Sequence, residues 1–311
     1  MTRKITMNTS SNKPIAEVFE EFVISQTARN LAEATLINYR HHFHSISKHL
    51  DIQQSMEELT KSKLEAMVVS MRKNGLAHNS ISSYCRVLRS FLGWCQREGI
   101  SVPTMPHIKD KETVKESYTG EELEAILKKP KKNCSFCEYR NWVIVNFLMN
   151  SGCRASTVRN IQNRDVDLDT KQIVFRHNKN GKIQTVPLCS LMVSILREYM
   201  AIRKGRQEDY LFCDQYGGML SMNALRLAVA RHNNNRGVEK TSTHLYRHTF
   251  ARKYLVDCGG DAFMLQKLLG HSTLKMTKHY CAIYDADIAK NFDRFSPLAQ
   301  MAQPKEKIKR G

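Results

Sequence analysis

His244-Leu245-Tyr246-Arg247-His248, then Leu269-Gly270-His271, then Tyr280 stand in that order in the last third of the chain. Imidazoles, a guanidinium and a phenol suit one chemistry in particular: attack by the Tyr280 hydroxyl on a phosphodiester, with cationic groups steadying the charge that develops on phosphorus. Such an attack also needs a proton for the departing 5′-oxygen and fixed donors for the non-bridging oxygens. Arginine suits the oxygens because its planar fork stays charged and matches them two at a time. Lysine suits the leaving group, since an ammonium on a flexible stem can give up a proton. Histidine can serve either purpose near neutral pH.

Two further residues complete the set. Arg154 follows Ser151-Gly152-Cys153, just beyond a predicted helix end, and Lys179 lies in Asn178-Lys179-Asn180-Gly181, whose Asn-Gly is a strong hairpin turn signal. Each of the six has an ordinary structural reading. Tyr280 and His244 could be packing residues, Arg247 and Lys179 solvated charges, and Arg154 and His271 caps on helix ends. All six would have to coincide, in order, in a basic chain for those readings to hold together.

The elements that must position these residues are readable in outline. Ile15, Val18, Phe19, Phe22 and Val23 recur at three- and four-residue intervals, and similar runs span about Ala34–Leu50, Lys63 to Asn74-Gly75, and Ser80–Glu98. Four helices with short connections and no strands predict a small all-α bundle over 13–101, behind a flexible 1–12. Pro103, Pro106 and a mixed-charge run predict an exposed linker over 102–117. A second domain over 118–300 opens on a capping box, Thr119 with Glu122, ahead of Leu123, Ile126 and Leu127. Trp142–Met149 reads as a buried helix ended by Ser151-Gly152. Ile173-Val174-Phe175 and Ile183–Leu188 read as strands flanking the Asn-Gly turn, and helices return from Leu191. Residues 301–311 form a basic tail. The fold class is therefore mainly α with a small β-sheet: a helical domain joined to a mixed α/β one.

Composition narrows the partner. The 311 residues carry 48 Lys+Arg against 30 Asp+Glu, a formal charge of +18. Residues 113–311 hold 33 of the basic and 19 of the acidic groups, so the surplus sits mainly in the second domain. Such a surface predicts a polyanionic partner, nucleic acid ahead of a membrane surface, bound more weakly as salt rises. No stretch reaches the roughly 18 apolar residues of a membrane span, and the N-terminus lacks the apolar run of a secretion signal. Nine scattered cysteines, an odd number, read as reduced thiols of a cytoplasmic protein. Cys134-x-x-Cys137 has no second pair for a zinc site, His244 and His248 lack the glutamate of a zinc protease, and no GxxxxGK[ST] loop is present.

Taken together the motifs resemble those of the tyrosine recombinases, or phage-type integrases, over nearly the whole chain. Gly152-Cys153-Arg154 resembles the family's T/S-G-x-R. Lys179-Asn180-Gly181-Lys182, leading to Val186-Pro187-Leu188, resembles its lysine-bearing turn before a V-P-L strand. His244–Ala251 is similar to H-x-x-R-H-T-F-A, Leu268–Ser272 to L-L-G-H-S, and Tyr280 stands at the matching distance. Leu31–Tyr39, within the helical bundle, resembles part of the family's core-binding (SAM-like) domain. Two positions depart from the pattern: Thr157 stands where the family commonly has an acidic residue, and Met1–Pro14 is too short for an arm-type DNA-binding domain.

The resemblance implies a site-specific DNA recombinase or integrase of a mobile element in a bacterial cytoplasm. Tyr280 would form a 3′-phosphotyrosyl bond and release a 5′-hydroxyl. Arg154 and Arg247, with His271, would hold the scissile phosphate. Lys179, with Lys182 as the alternative, would be the general acid, and His244 would assist proton transfer. The covalent bond conserves the phosphodiester energy, so no cofactor or catalytic metal is implied. The implied partners are double-stranded DNA, a homotetramer on paired sites that docks Ala286–Leu298 on a neighbour, and an accessory directionality factor. The alternatives are a type IB topoisomerase-like relaxase, which shares this chemistry without pairing sites, and a non-catalytic DNA-binding regulator on the same fold.

Overall fold

The computed structural model describes residues 13–109, 116–177 and 181–274, together with 277, 296 and 298. Lys179, Tyr280, both termini, residues 110–115 of the expected linker and nearly all of the expected docking segment lie outside the described residues. The chain falls into two compact units, Met1–Thr113 and Val114–Gly311.

The first unit is built from α1 (Ile15–Ala28), α2 (Glu33–Ile46), α3 (Lys61–Lys73) and α4 (His78–Arg97), with a 3-10 turn at Met56–Glu58. The predicted periodicity is what buries them. Ile15, Val18, Phe19, Phe22 and Val23 face one core with Phe43, Ile46, Leu64, Leu88 and Phe91. Phe19 stacks on Phe43 with ring centroids 3.7 Å apart, and Trp94 donates its indole N–H to Ser25 Oγ at 3.1 Å. Helix α2 stops four residues before the predicted Leu50, although Leu50 is still buried on the turns that follow. Residues 101–109 carry no helix or strand. They are nonetheless fastened, because Met105 is buried in this core and Val102 and Ile108 pack against it. The expectation of an exposed stretch fails at these three positions, whose apolar side chains are set among prolines and polar residues that read as a loop.

The second unit opens with α5 (Gly120–Leu127), and the capping box is present: Thr119 Oγ1 accepts from the Glu122 N–H while the Glu122 carboxylate accepts from the Thr119 N–H. Helix α6 (Phe136–Ser151) is apolar on every side, with Val143, Ile144, Val145 and Phe147 fully buried, and it forms the centre against which α5 and the later helices pack. The short α7 (Ala155–Arg159) follows. A three-stranded antiparallel sheet comes next: β1 (Val166–Asp167), β2 (Gln172–Phe175) and β3 (Gln184–Pro187), in that spatial order, with Ile173 opposite Val186 and Phe175 opposite Gln184. The sequence reading found β2 and β3 as a hairpin and missed β1, which at two residues is too short to alternate. Helices α8 (Ser190–Arg203), α9 (Met222–Asn234), α10 (Thr243–Arg252) and α11 (Ala262–Leu269) complete the described elements, with a π turn at Lys253–Asp257 after α10.

Candidate active site

Three chain segments meet at Arg247. The first is the junction between α6 and α7. Gly152 caps α6 in the left-handed region at φ +57°, and its N–H donates to the Leu148 carbonyl. Only glycine fits this position, for two reasons. A Cβ would stand 2.3 Å from Phe250 Cδ1 and 2.9 Å from Leu269 Cδ2, and the backbone itself disfavours side chains at that φ. The turn then delivers Arg154 as the half-buried N-cap residue of α7. The Arg154 carbonyl accepts the backbone N–H groups of Thr157 and Val158, so backbone bonds brace the turn in which the usual acidic residue is absent.

The second segment is α10. Ser242 caps it by accepting the His244 N–H, and Tyr246, Arg247, His248 and Thr249 are buried. Tyr246 fixes the helix on α9: its hydroxyl donates to Asn233 Oδ1 at 2.6 Å, and its ring packs on Tyr118 with centroids 4.7 Å apart. Burial, above all, pushes the Tyr246 phenol well above its ordinary value. This tyrosine is thereby a structural one, which keeps its proton and commits its O–H to Asn233. His244 is exposed at the start of the helix and meets His248 edge to face, ring centroids 4.9 Å apart.

The third segment is the end of α11. Gly270 takes a left-handed φ of +62°, and the N–H groups of Gly270 and His271 donate to Lys267 and Gln266 to close the helix. His271 thus does end a helix, as its ordinary reading proposed, while its side chain turns to Arg247.

Arg247 is 2% exposed and joins all three segments. Its Nη1 donates to the Gly152 carbonyl at 2.9 Å; its Nη2 donates to the Leu269 carbonyl at 2.9 Å and to His271 Nε2 at 2.6 Å. Three of the five N–H groups of the fork are committed in this way. A guanidinium can only donate, so His271 Nε2 must present its lone pair. The proton of the neutral ring therefore sits on Nδ1, 2.8 Å from Thr277 Oγ1. The electrostatic surroundings agree. Burial first, and then the positive charges of Arg247 and Arg154, hold His271 down at about 4, so the ring is neutral at physiological pH.

The hairpin is tied to the same place. Gln184 on β3 donates through Nε2 to the carbonyls of Lys267 and Leu268, at 2.7 and 2.8 Å. The strand that follows Lys179 and Lys182 is thus attached to the turn that carries His271. Cys153, between Gly152 and Arg154, is buried and its thiol is pushed up to about 11, which keeps it protonated and unreactive beside the two arginines.

Of the six residues singled out from the sequence, the structure puts Arg247 in contact with His271, sets Arg154 near enough for its charge to act on His271, and leaves His244 at the exposed N-terminal end of the helix that carries Arg247. Sequence reasoning missed Gln184 and Thr277. A glutamine on a half-exposed strand reads as surface, and a threonine six residues after a histidine carries no signal that the two are bonded. Among the described residues no group of three or more His, Cys, Asp or Glu side chains is placed to hold a metal ion.

Residues 116–287 match the Phage integrase family, which covers more than half of the chain, and residues 17–103 match the family's N-terminal SAM-like domain. The chain belongs to the phage integrase family. It is a tyrosine recombinase by the same membership. Tyrosine recombinase XerC of Actinobacillus pleuropneumoniae is 25% identical over 281 residues, covering 88% of this chain and 90% of the relative. Tyrosine recombinase XerA of Thermococcus kodakarensis is 29% identical over 221 residues, 68% and 74% of the two chains. Among solved structures, the Tn1549 transposon integrase in complex with transposon right end DNA superimposes with a TM-score of 0.75 at 17% identity, over 91% of this chain and 99% of the other. A lambda integrase dimer bound to a COC′ core site gives 0.71 at 16%, over 97% and 83%. At those identities the likeness is one of fold.

Proposed function

We propose that this tyrosine recombinase cuts and rejoins double-stranded DNA at specific sites, through a 3′-phosphotyrosyl intermediate and a Holliday junction. The observation that carries the reading is the buried Arg247 fork, held by Gly152, Leu269 and His271 beside Arg154. Burying a guanidinium is costly unless every bond is in place, and a purely structural core at this point would be more stable with apolar side chains. Two arginines and a neutral imidazole around one point suit a phosphodiester whose equatorial oxygens gain charge during in-line displacement.

The residue roles follow from that centre. Tyr280 attacks phosphorus; its oxygen forms the new P–O bond as the bond to the 5′-oxygen breaks, and Lys179 gives that oxygen a proton, with Lys182 as the alternative donor. Arg154, Arg247 and His271 hold the non-bridging oxygens, and His244 assists the proton's departure from Tyr280. Reversal with a different 5′-hydroxyl rejoins the strand, so the phosphodiester bond energy is conserved. The working assembly is a tetramer on paired sites, with the segment 286–298 docking on a neighbour, and the +18 charge supplies the non-specific attraction to DNA.

The test is covalent trapping. A pool of nicked duplexes of randomised sequence is incubated with the protein, denatured, and probed for protein–DNA adducts, and the trapped DNA is sequenced to read out the site. The wild type should accumulate an adduct, and Tyr280→Phe should bind the recovered duplex without forming one. A persistent adduct in Tyr280→Phe would sink the assignment of the nucleophile. Relaxation of supercoiled DNA lacking the recovered site would favour a relaxase instead.

A further inference from the structure

His271 faces two partners of opposite character. On one side Arg247 presents only donors; on the other Thr277 presents a hydroxyl, which can donate or accept. Both His271 and Thr277 are buried, Thr277 completely. In this DNA-free state the assignment is forced: Nε2 accepts from Arg247 at 2.6 Å, and Nδ1–H donates to Thr277 Oγ1 at 2.8 Å. A phosphate oxygen has the opposite requirement, since it can only accept. To hold such an oxygen through Nε2, the ring must carry its proton there and bare Nδ1. Threonine is a side chain that satisfies both forms without moving.

Resting on the function proposed above, we propose that Thr277 is a positioning residue for His271, whose hydroxyl accepts from Nδ1–H in the free protein and donates to bare Nδ1 when Nε2–H turns to a DNA phosphate oxygen. The ring stays neutral throughout: water gives one proton to Nε2 and takes one from Nδ1, so the exchange balances. The Arg247 N–H released from Nε2 becomes available to the same phosphate. The device keeps the ring in one plane while its partner changes, and in the sequence it stands three residues before Tyr280. Thr277 thereby joins the segment that carries the nucleophile to the residue that holds the phosphate.

The experiment reads the tautomer directly. Nitrogen-15 NMR of histidine-labelled protein, with His271 assigned by the signal lost in His271→Gln, should show Nδ1–H in the free wild type. In the Tyr280→Phe protein bound to the trapped duplex, the same ring should show Nε2–H. Thr277→Val keeps the shape and removes the hydroxyl; it should lower the rate of adduct formation about 100-fold at unchanged DNA affinity, in line with loss of orientation at a reacting centre. Thr277→Ser keeps the hydroxyl and should restore most of the rate. The same tautomer in both states, or equal adduct rates for Thr277→Val and the wild type, overturns the proposal. If Thr277→Val does not fold, the two wild-type-hydroxyl spectra and the Ser variant still decide it. If the wild type traps no DNA, the proposed function fails, and with it the role at the phosphate; the free-state spectrum then decides separately whether Thr277 holds Nδ1–H.

Discussion

The guanidinium of Arg247 donates to the carbonyl of Gly152 at 2.9 Å, and so ties the middle of α10 to the turn that presents Arg154. The two arginines expected to share a phosphate are thereby set by one hydrogen bond between residues 95 positions apart. Arg247 is at once the proposed anion-binding group and the fastening of this part of the fold.

That double role makes Arg247→Lys a severe change. A lysine carries three donors on one nitrogen and cannot span two carbonyls and an imidazole laid out around a plane. Leaving buried carbonyls unsatisfied should cost about 2 kcal/mol of stability, read as a lower urea midpoint. Adduct formation should fall about 100- to 1000-fold, the scale seen when one oxyanion donor is lost. Retention of full cleavage activity by the lysine variant would contradict the geometry.

Gly152→Ala tests the turn itself. The new Cβ would meet Phe250 and Leu269 at 2.3 and 2.9 Å, on a backbone at φ +57°. Backbone strain of about 1–2 kcal/mol and overpacking of about 1–3 kcal/mol should add to a loss of roughly 2–5 kcal/mol. Gly237→Ala is the control: its φ is +75°, yet nothing stands within 4 Å of the added Cβ. It should cost only about 1–2 kcal/mol. Equal losses for the two variants in chemical denaturation would show that packing around Gly152 is looser than described.

Tyr246 offers the contrast to Tyr280. Its hydroxyl is spent on Asn233, whose amide in turn donates to the Lys240 carbonyl and the Tyr118 hydroxyl. Tyr246→Phe should therefore lower stability by about 1–3 kcal/mol through the orphaned Asn233 oxygen and leave adduct formation intact at a temperature where the variant is folded. Loss of the adduct in folded Tyr246→Phe would mean that the wrong tyrosine has been assigned.

The histidines give stability a pH dependence of known sign. His271 and His232 are each held down to about 4 from the ordinary 6.5, in both cases chiefly by burial. His232 Nε2 is also 2.8 Å from the Ile126 carbonyl, to which it donates as N–H. Because both stay neutral when folded, the unfolded chain binds more protons between pH 4 and 6.5, and stability falls as pH drops through that window. The loss should approach about 2–3 kcal/mol for each histidine by pH 4. Urea unfolding followed from pH 7.5 to 4.5 should show it, and His271→Gln should flatten the slope. A slope unchanged in that variant would place the titration elsewhere.

Much of this architecture was legible before any coordinates. Apolar periodicity marked the four helices of the first unit and the buried α6, because burial on one face or on all faces is written directly in residue spacing. The Asn-Gly turn and its flanking β-branched runs marked the hairpin, and Thr119 with Glu122 marked the start of α5, because caps and turns are local chemistry. The six candidate residues stood out by type and order alone. Local signals are weaker where prolines interrupt a short apolar run or an element is very short: Val102, Met105 and Ile108 pack on the first core from a stretch that reads as exposed, and β1 is too short to show its alternation.

The sequence by itself determined which groups could act, namely Arg154, Lys179, His244, Arg247, His271 and Tyr280, because chemical type and order along the chain need no folding to be read. Only the tertiary structure decided how Arg154, Arg247 and His271 are held. That Arg247 spends its fork on Gly152, Leu269 and His271, that His271 leans on Thr277, and that Gln184 fastens the hairpin to α11 are contacts between segments far apart in the chain. Their donors and acceptors include backbone carbonyls, which every residue carries, and hydroxyl or amide groups that read as ordinary surface. Nothing in the sequence distinguishes such groups until the fold removes water from around them and brings their partners into reach.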